Sequence, residues 1–219
     1  MKKLLKKLFG PIENENETEQ AHDESLEQAR EEDGKVTPGA RENMDPDHIK
    51  IIIVSDNHIK KNGLISVVEK YTGEVDYFLH CGDSNLEHDD PVMVPFITVM
   101  GNTDFRQKYR DVEQVNLPNG EQIWINHGDR YQVRAGVDVL VEIATLFGGK
   151  PSIILYGHTH VMDVQMFEGR LVINPGSIEL PRDGGIRKYA KLEITKEAYQ
   201  VTILNAEDHS VVKEFEFQK

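Results

Sequence analysis

The chain has 219 residues with 38% hydrophobic and 7% aromatic side chains, which suffices for one compact domain with additional segments. A formal net charge of −13 argues against stable nucleic-acid binding, because phosphate backbones need clustered Lys and Arg. A single cysteine, Cys81, excludes an intrachain disulfide framework and fits a reducing, cytoplasmic compartment, and no apolar run approaches the roughly 18–20 residues of a spanning helix.

Residues 2–9 alternate two lysines with two apolar residues, so on a helix Leu4, Leu5, Leu8 and Phe9 share one face, and Gly10-Pro11 ends it. The lysine pairs rule out a secretory signal; the pattern offers a weak contact with an anionic membrane surface, against the plainer reading of a solvated tip. Residues 11–48 are crowded with Glu and Asp and nearly free of large apolar side chains, which describes a disordered acidic tail. The expected organisation is therefore a tail over 1–48 and a folded domain over 49–219.

The β-branched run Ile49–Val54 predicts a buried strand leading into Ser55-Asp56-Asn57-His58. Apolar residues at helical spacing predict a helix over 62–71, stopped by Gly73. Val75–His80 is a second strand ending at Cys81-Gly82-Asp83, residues 84–92 are a polar loop, and Pro95–Met100 is a third strand ending at Gly101-Asn102-Thr103-Asp104. Phe105–Arg110 suggests a short helix, whose Arg106, Lys108 and Arg110 form either a phosphate contact or a solvated face. Asn119-Gly120 marks a hairpin between Gln114–Leu117 and Gln122–Asn126, and the second arm ends at His127-Gly128-Asp129. Val133–Phe147 predicts an amphipathic helix with Val137, Leu140, Val141, Ala144 and Leu146 inside. The strand over 152–155 runs into Tyr156-Gly157-His158-Thr159-His160. A hairpin about Glu168-Gly169 leads to Asn174-Pro175-Gly176-Ser177, and three strands close the chain near 189–194, 199–204 and 211–217. The order predicts an α/β domain of two packed sheets with helices outside.

Five strand-like segments thus end in a potential metal ligand beside Gly or a small residue, at the strand ends where α/β folds bind ligands. Asp56, His58, Asp83, Asn102, His127, His158 and His160 could hold two nearby divalent cations if one carboxylate bridges. A set of carboxylate, imidazole and carboxamide without thiolate suits Mn²⁺ first, with Zn²⁺, Fe or Ni²⁺ as alternatives, over Cu(I), Mg²⁺ or Ca²⁺. Two such ions activate a shared water and clamp the oxygens of an in-line displacement at phosphorus. Other polar residues invite plainer readings. Cys81, Trp124 and His80 read as core; Asp104 is a cap or a catalytic group; Asn174 is a turn residue or a support for the site; and His22, His48, His88 and His209 belong to polar loops.

Asp56-x-His58, Gly82-Asp83, Gly101-Asn102-x-Asp104, His127-Gly128 and Gly157-His158-x-His160, in that order, resemble the calcineurin-like metallophosphoesterases, in particular their compact YfcE-like phosphodiesterase branch. The resemblance covers about residues 49–190 and leaves the tail outside. It implies a four-layer α-β-β-α sandwich and two metals: one on Asp56, His58 and His160, the other on Asn102, His127 and His158, with Asp83 bridging and a bridging water or hydroxide as nucleophile. The expected substrate is a small phosphodiester, Asn102 and Asp104 are the catalytic candidates, and the sequence leaves a homo-oligomer open. Many relatives carry His after the Asn, and YfcE-like members often Cys. Thr103 stands here and cannot titrate near neutral pH, so a good leaving group is expected. Two other functions fit a chain of this kind. One is a protein-interaction scaffold on the same fold, as in the retromer subunit of the superfamily; the other is a nuclease.

Overall fold

The computed structural model describes residues 40–41, 43–105, 109–147 and 149–219. Strand β1 (His48–Val54) lies at the centre of a six-stranded sheet. On one side it pairs in parallel with β2 (Tyr77–His80), which pairs in parallel with β3 (Phe96–Thr98). On the other side it pairs antiparallel with β9 (Lys188–Thr195), followed by β10 (Ala198–Asn205) and the edge strand β11 (Val211–Gln218). The second sheet has the order β4 (Val112–Asn116), β5 (Gln122–Asn126), β6 (Ile153–Leu155), β8 (Arg170–Asn174) and β7 (Asp163–Phe167). Within it β5, β6 and β8 run parallel, while β4 and β7 are antiparallel edges.

Period-2 alternation explains how two sheets and two helices make four layers. In β1, Ile49, Ile51 and Ile53 enter the core between the sheets, while Ile52 and Val54 face α1 (Asn62–Tyr71) with its Leu64 and Val67. In the second sheet, Ile123, Ile125, Ile153, Leu155, Leu171 and Ile173 face inward, while Trp124, Ile154 and Val172 meet α2 (Val137–Phe147) through Leu140, Val141 and Ile143. A strand packed on both faces must be apolar throughout, which is why β1 and β6 read as continuous runs rather than alternating ones. The fold is the expected α/β sandwich.

The structure corrects several details. The helix expected over 133–147 is two pieces, a short 3₁₀ turn at Val133–Ala135 and α2, separated at Gly136 whose φ of 143° no helix accommodates. Leu146, expected inside, is 48% exposed, and Ile143 takes the buried position. Residues 109–110 are not helical: Arg110 bridges Val99, beside the end of β3, and also faces Glu113. Arg106 and Lys108 lie outside the described residues, as do residues 1–39 with the amphipathic start and most of the acidic tail. The expected boundary at residue 48 falls too late. Arg41 pairs with the buried Asp76 and donates to His48 O (2.6 Å), and Met44 packs against the core between the sheets. Two histidines assigned to idle loops are occupied: His48 meets Glu193 (2.8 Å), and His209 meets Tyr189 Oη (2.8 Å) and Ser66 Oγ (3.0 Å). Cys81 and Trp124 are fully buried core residues, as expected.

Candidate metal centre

All the parallel strands point their carboxyl ends at one edge, and there the loops converge. β1 delivers Asp56 and His58, β2 delivers Asp83, the loop after β3 delivers Asn102, β5 delivers His127 and β6 delivers His158 and His160. Hydrogen bonds lock the loops together across both sheets: Asp56 N–H to Gly82 O (3.1 Å), Gly157 N–H to His127 O (3.0 Å) and His127 Nδ1–H to Cys81 O (2.7 Å).

The seven residues form two adjoining groups. In the first, His160 Nε2 lies 3.2 Å from Asp56 Oδ1 and 3.2 Å from His58 Nε2, and donor atoms of Asp56, His58, Asp83 and His160 all fall within 4.8 Å of one another. In the second, Asn102 Oδ1 lies 3.2 Å from His127 Nε2 and 2.7 Å from His158 Nδ1. Asp83 Oδ2 stands between them, 3.9 Å from His58 Nε2 and 3.4 Å from His127 Nε2.

This arrangement fits cations. His58 Nδ1 faces Asn85 Oδ1 (3.3 Å) and His160 Nδ1–H donates to Leu180 O (2.6 Å), which turns the two Nε2 atoms toward each other and into the centre. Those two Nε2 atoms converge with Asp56 Oδ1 and Asp83 on one point, a nitrogen and oxygen donor set that a divalent cation would fill. Asp56 Oδ1 is moreover a buried oxygen with no hydrogen-bond partner, a costly state that a metal relieves. Imidazoles whose second nitrogen is held by a carbonyl or amide oxygen are the usual form of a metal-binding histidine.

Charge within the centre is tightly coupled. Burial works against a charged Asp83, but hydrogen bonds from His127 and the Thr103 N–H outweigh it and hold the carboxyl well below its usual range. Burial likewise opposes a charged His127, yet Asp83 and Asp56 push its pKa up to about 9. Burial lowers His158, helped by the neighbouring positive charges of His127 and Arg134.

Backbone geometry is the feature that motif spacing did not reveal. Asp56, His58, Asp83, His158 and His160 all have φ between 43° and 66°, a left-handed conformation that ordinary side chains avoid. Such outliers persist only where surrounding structure over-determines them. Asn174 supplies part of that support, its Nδ2 donating to Gly157 O (2.7 Å) and Thr159 Oγ1 (3.0 Å). Gly157 supplies room: a Cβ there would overlap Ser55 Oγ and lie 2.9 Å from Asp56 Oδ2.

Asp104 departs from its expected catalytic role. It is buried, and its two oxygens accept the N–H groups of Asp83 (2.8 Å), Ser84 (3.3 Å), Asn85 (2.6 Å) and Gly101 (2.9 Å). The side chain ties the Asp83 loop to the Asn102 loop and has no oxygen free for a substrate. His80 is the core histidine anticipated; it donates to Asn57 Oδ1 (2.9 Å) and accepts the Gly82 N–H (3.1 Å).

Comparison with known proteins gives this geometry a lineage. Residues 49–197 match the model of the calcineurin-like phosphoesterase superfamily domain. The chain belongs to this superfamily. It is similar to the probable metallophosphoesterase YsnB of Bacillus subtilis, with 32% identity over 70% of this chain and 89% of that protein. A solved structure from Streptococcus pneumoniae, described as a predicted phosphoesterase, shares 32% identity with a TM-score of 0.72, covering 81% of this chain and 100% of that one. Likeness of fold alone extends to Vps29 of Cryptosporidium parvum (15% identity, TM-score 0.65, 78% and 99% covered) and the YfcE phosphoesterase of E. coli (18%, 0.55, 76% and 98%). Superfamily membership makes the chain a metal-binding phosphoesterase. Strands β10 and β11 lie beyond the matched segment.

One supporting residue escaped the sequence reading. Asn85 N–H reaches Asp104, its Nδ2 reaches Thr103 O (2.5 Å), and its Oδ1 faces both His58 Nδ1 (3.3 Å) and Thr103 Oγ1 (3.2 Å). Nothing but its place two residues after Asp83 could have marked it.

Proposed function

We propose that this phosphoesterase is a two-metal phosphodiesterase acting on small phosphodiesters. Asp56, His58 and His160 would hold one ion and Asn102, His127 and His158 the other, with Asp83 shared. The carrying observation is Asp83 Oδ2 standing between His58 and His127, which gives one carboxylate to both groups. The ions, when bound, supply Lewis acidity toward phosphoryl oxygens and a lowered pKa for a coordinated water. The donor chemistry favours Mn²⁺, with Zn²⁺, Fe or Ni²⁺ as alternatives.

The chain's own residues do the remaining work. Asn85, Leu180 O and Cys81 O fix three imidazole orientations, so the ligand geometry is set before substrate arrives. The Thr103 N–H anchors the second oxygen of Asp83 (2.8 Å), leaving Oδ2 turned to the centre. The Thr103 hydroxyl points at Asn85 Oδ1 and cannot act as a titrating acid, so we infer a preference for diesters with good leaving groups and weak action on alkyl phosphomonoesters. A reducing cytoplasm suits the one buried thiol, and among the described residues no helix is long and apolar enough to cross a membrane.

Likeness to Vps29 leaves a scaffold on this fold as the second reading, since fold alone does not separate it from an enzyme. The complete donor set argues for the enzyme. The test is elemental analysis of the purified protein together with turnover of an activated aryl phosphodiester in Mn²⁺, before and after Asp83→Asn. About two metals per chain, with turnover lost in the variant, is the expected result. No bound metal and no turnover in any divalent ion would make the scaffold reading the better one.

A further inference from the structure

Lys188, the first residue of β9, is buried, with only 4% of its surface exposed. An ammonium is costly to enclose unless a counter-charge is built for it, and Asp183 is that counter-charge. Room for the stem is built as well. A Cβ on Gly176 would lie 3.0 Å from Lys188 Cγ and Cδ, so the lysine fills the space a side chain there would need. The other oxygen of Asp183 accepts the Met162 N–H (2.7 Å). Burial works against a charged Asp183, but Lys188 and the Met162 N–H outweigh it and hold the carboxyl below its ordinary range. The pair thus links the Asn174–Ser177 turn, the loop around residue 183 and the segment just after His160.

That loop grips His160 at several points. Leu180 O accepts its Nδ1–H (2.6 Å), Arg182 N–H donates to its carbonyl (3.0 Å), and Asp183 takes the N–H two residues further on. His160 itself sits at φ 58°, a backbone state that needs outside support. The upstream end of the loop is fixed by Ser177, whose Oγ donates to Asp56 O (2.8 Å) and accepts the Leu180 N–H (2.7 Å). Its tip is held by nothing of its own: a side chain on Gly184 or Gly185 would meet no atom within 4 Å. Two ties remain at the downstream end. Arg187 pairs with Glu179 and Glu207 near the surface, where solvent leaves an ion pair little strength. Lys188–Asp183 is enclosed, so removing either partner strands a charge in the interior. The His158 half of the turn is held separately, by Asn174 Nδ2 on Gly157 O (2.7 Å) and Thr159 Oγ1 (3.0 Å).

We propose that Lys188 and Asp183 are positioning residues for the His160 half of the centre; this rests on the two-metal reading above. Their ion pair sets the loop whose Leu180 carbonyl aims the imidazole. It therefore tunes affinity for the ion on Asp56, His58 and His160, while the ion on Asn102, His127 and His158 depends on Asn174 instead. Both residues act through the loop and not as ligands. A donor fixed before the ion arrives needs no ordering on binding. Loss of the pair weakens affinity by leaving the ring free to turn, with every ligand atom still present.

The test compares the full chain with Lys188→Met, Asp183→Asn and the double variant. Met keeps the shape of the stem, and Asn keeps an oxygen for the Met162 N–H. The double variant strands no charge, so it folds even where a single variant fails. Mn²⁺ is titrated calorimetrically into the metal-free proteins, and proton NMR follows the His160 Nδ1–H, which its bond to Leu180 O protects from exchange. Each single variant should weaken one Mn²⁺ site by about 10–100-fold and leave the other within about twofold. An anomalous difference map at limiting Mn²⁺ should show the lost occupancy beside His160. The Nδ1 proton should be visible in the wild type and lost to exchange in the variants. The double variant should still weaken that site at least about tenfold, by no more than the larger single loss, because one pair is removed in each case. Variants that keep both affinities and the Nδ1 proton would overturn the proposal. So would equal losses at both sites in step with a lower Tm, the mark of a general structural role. Fewer than two ions on the wild type would strike down the two-metal reading, and the affinity split with it. That failure is told apart by the Nδ1 proton, which needs no metal.

Discussion

Replacing Asp104 separates a supporting residue from a reacting one. Its carboxylate receives four backbone N–H groups from two loops, at 2.6–3.3 Å, in a fully enclosed position. Hydrogen bonds to a charged acceptor contribute about 1.5–3 kcal/mol, neutral ones about 0.5–1.5, and an orphaned buried donor costs about 1–3. Asp104→Asn keeps one acceptor oxygen but turns an NH₂ toward either Asn85 N–H or the three donors on Oδ2, so a loss of about 2–4 kcal/mol is expected. Asp104→Ala removes both oxygens; because the four bonds belong to one network their losses do not simply add, and about 4–6 kcal/mol is the expected total. In a domain of this size the Asn variant should unfold about 5–15 °C lower, at about 2–4 °C per kcal/mol. Thermal unfolding of the metal-free protein and Mn²⁺ titration are the assays, and metal affinity should fall with stability, since Asp104 anchors the backbone of Asp83. An Ala variant that unfolds within about 1 °C of wild type and binds Mn²⁺ normally would refute the positioning role. Wild-type stability with turnover abolished would return Asp104 to the reacting groups.

Three further outcomes follow from the same geometry. Burial lowers the His80 pKa to about 4, against the attraction of Asp104 and other nearby carboxylates, so the fold holds this ring neutral while the unfolded chain protonates near 6.5. Stability should therefore fall as pH drops from about 6.5 to about 4, by about 3 kcal/mol in all, and urea unfolding of metal-free His80→Gln should lack that component of the slope. Gly157→Ala would force a methyl onto Ser55 Oγ and toward Asp56, so Mn²⁺ affinity measured by titration should drop more than about tenfold. Removing residues 1–39 should leave aryl diester turnover unchanged, whereas Arg41→Ala strands the buried Asp76 and should cost about 3 kcal/mol in urea unfolding.

The strands were legible because a sandwich demands apolar residues on both faces of its central strands, a pattern that β1 and β6 display openly. The candidate ligands that the loops bring together were legible because each follows such a run within a few residues. What stayed hidden depends on atoms rather than periodicity. The break at Gly136 is a single residue inside a continuous apolar pattern, and that pattern cannot say whether Ile143 or Leu146 faces the second sheet. Arg41 belongs to the domain through one buried carboxylate, Asp76, distant in sequence. The left-handed backbone at Asp56, His58, Asp83, His158 and His160, the saturation of Asp104 and the hub at Asn85 are properties of loops that meet only after both sheets have formed.

The central claim is that Asp83 joins two metals in one centre. An anomalous difference map from crystals grown with Mn²⁺ tests it without reference to any substrate. The expected map shows two peaks about 3.5–4 Å apart on either side of the Asp83 carboxylate, one beside Asp56, His58 and His160 and the other beside Asn102, His127 and His158. A single peak away from Asp83, or none at full Mn²⁺ concentration, would contradict it.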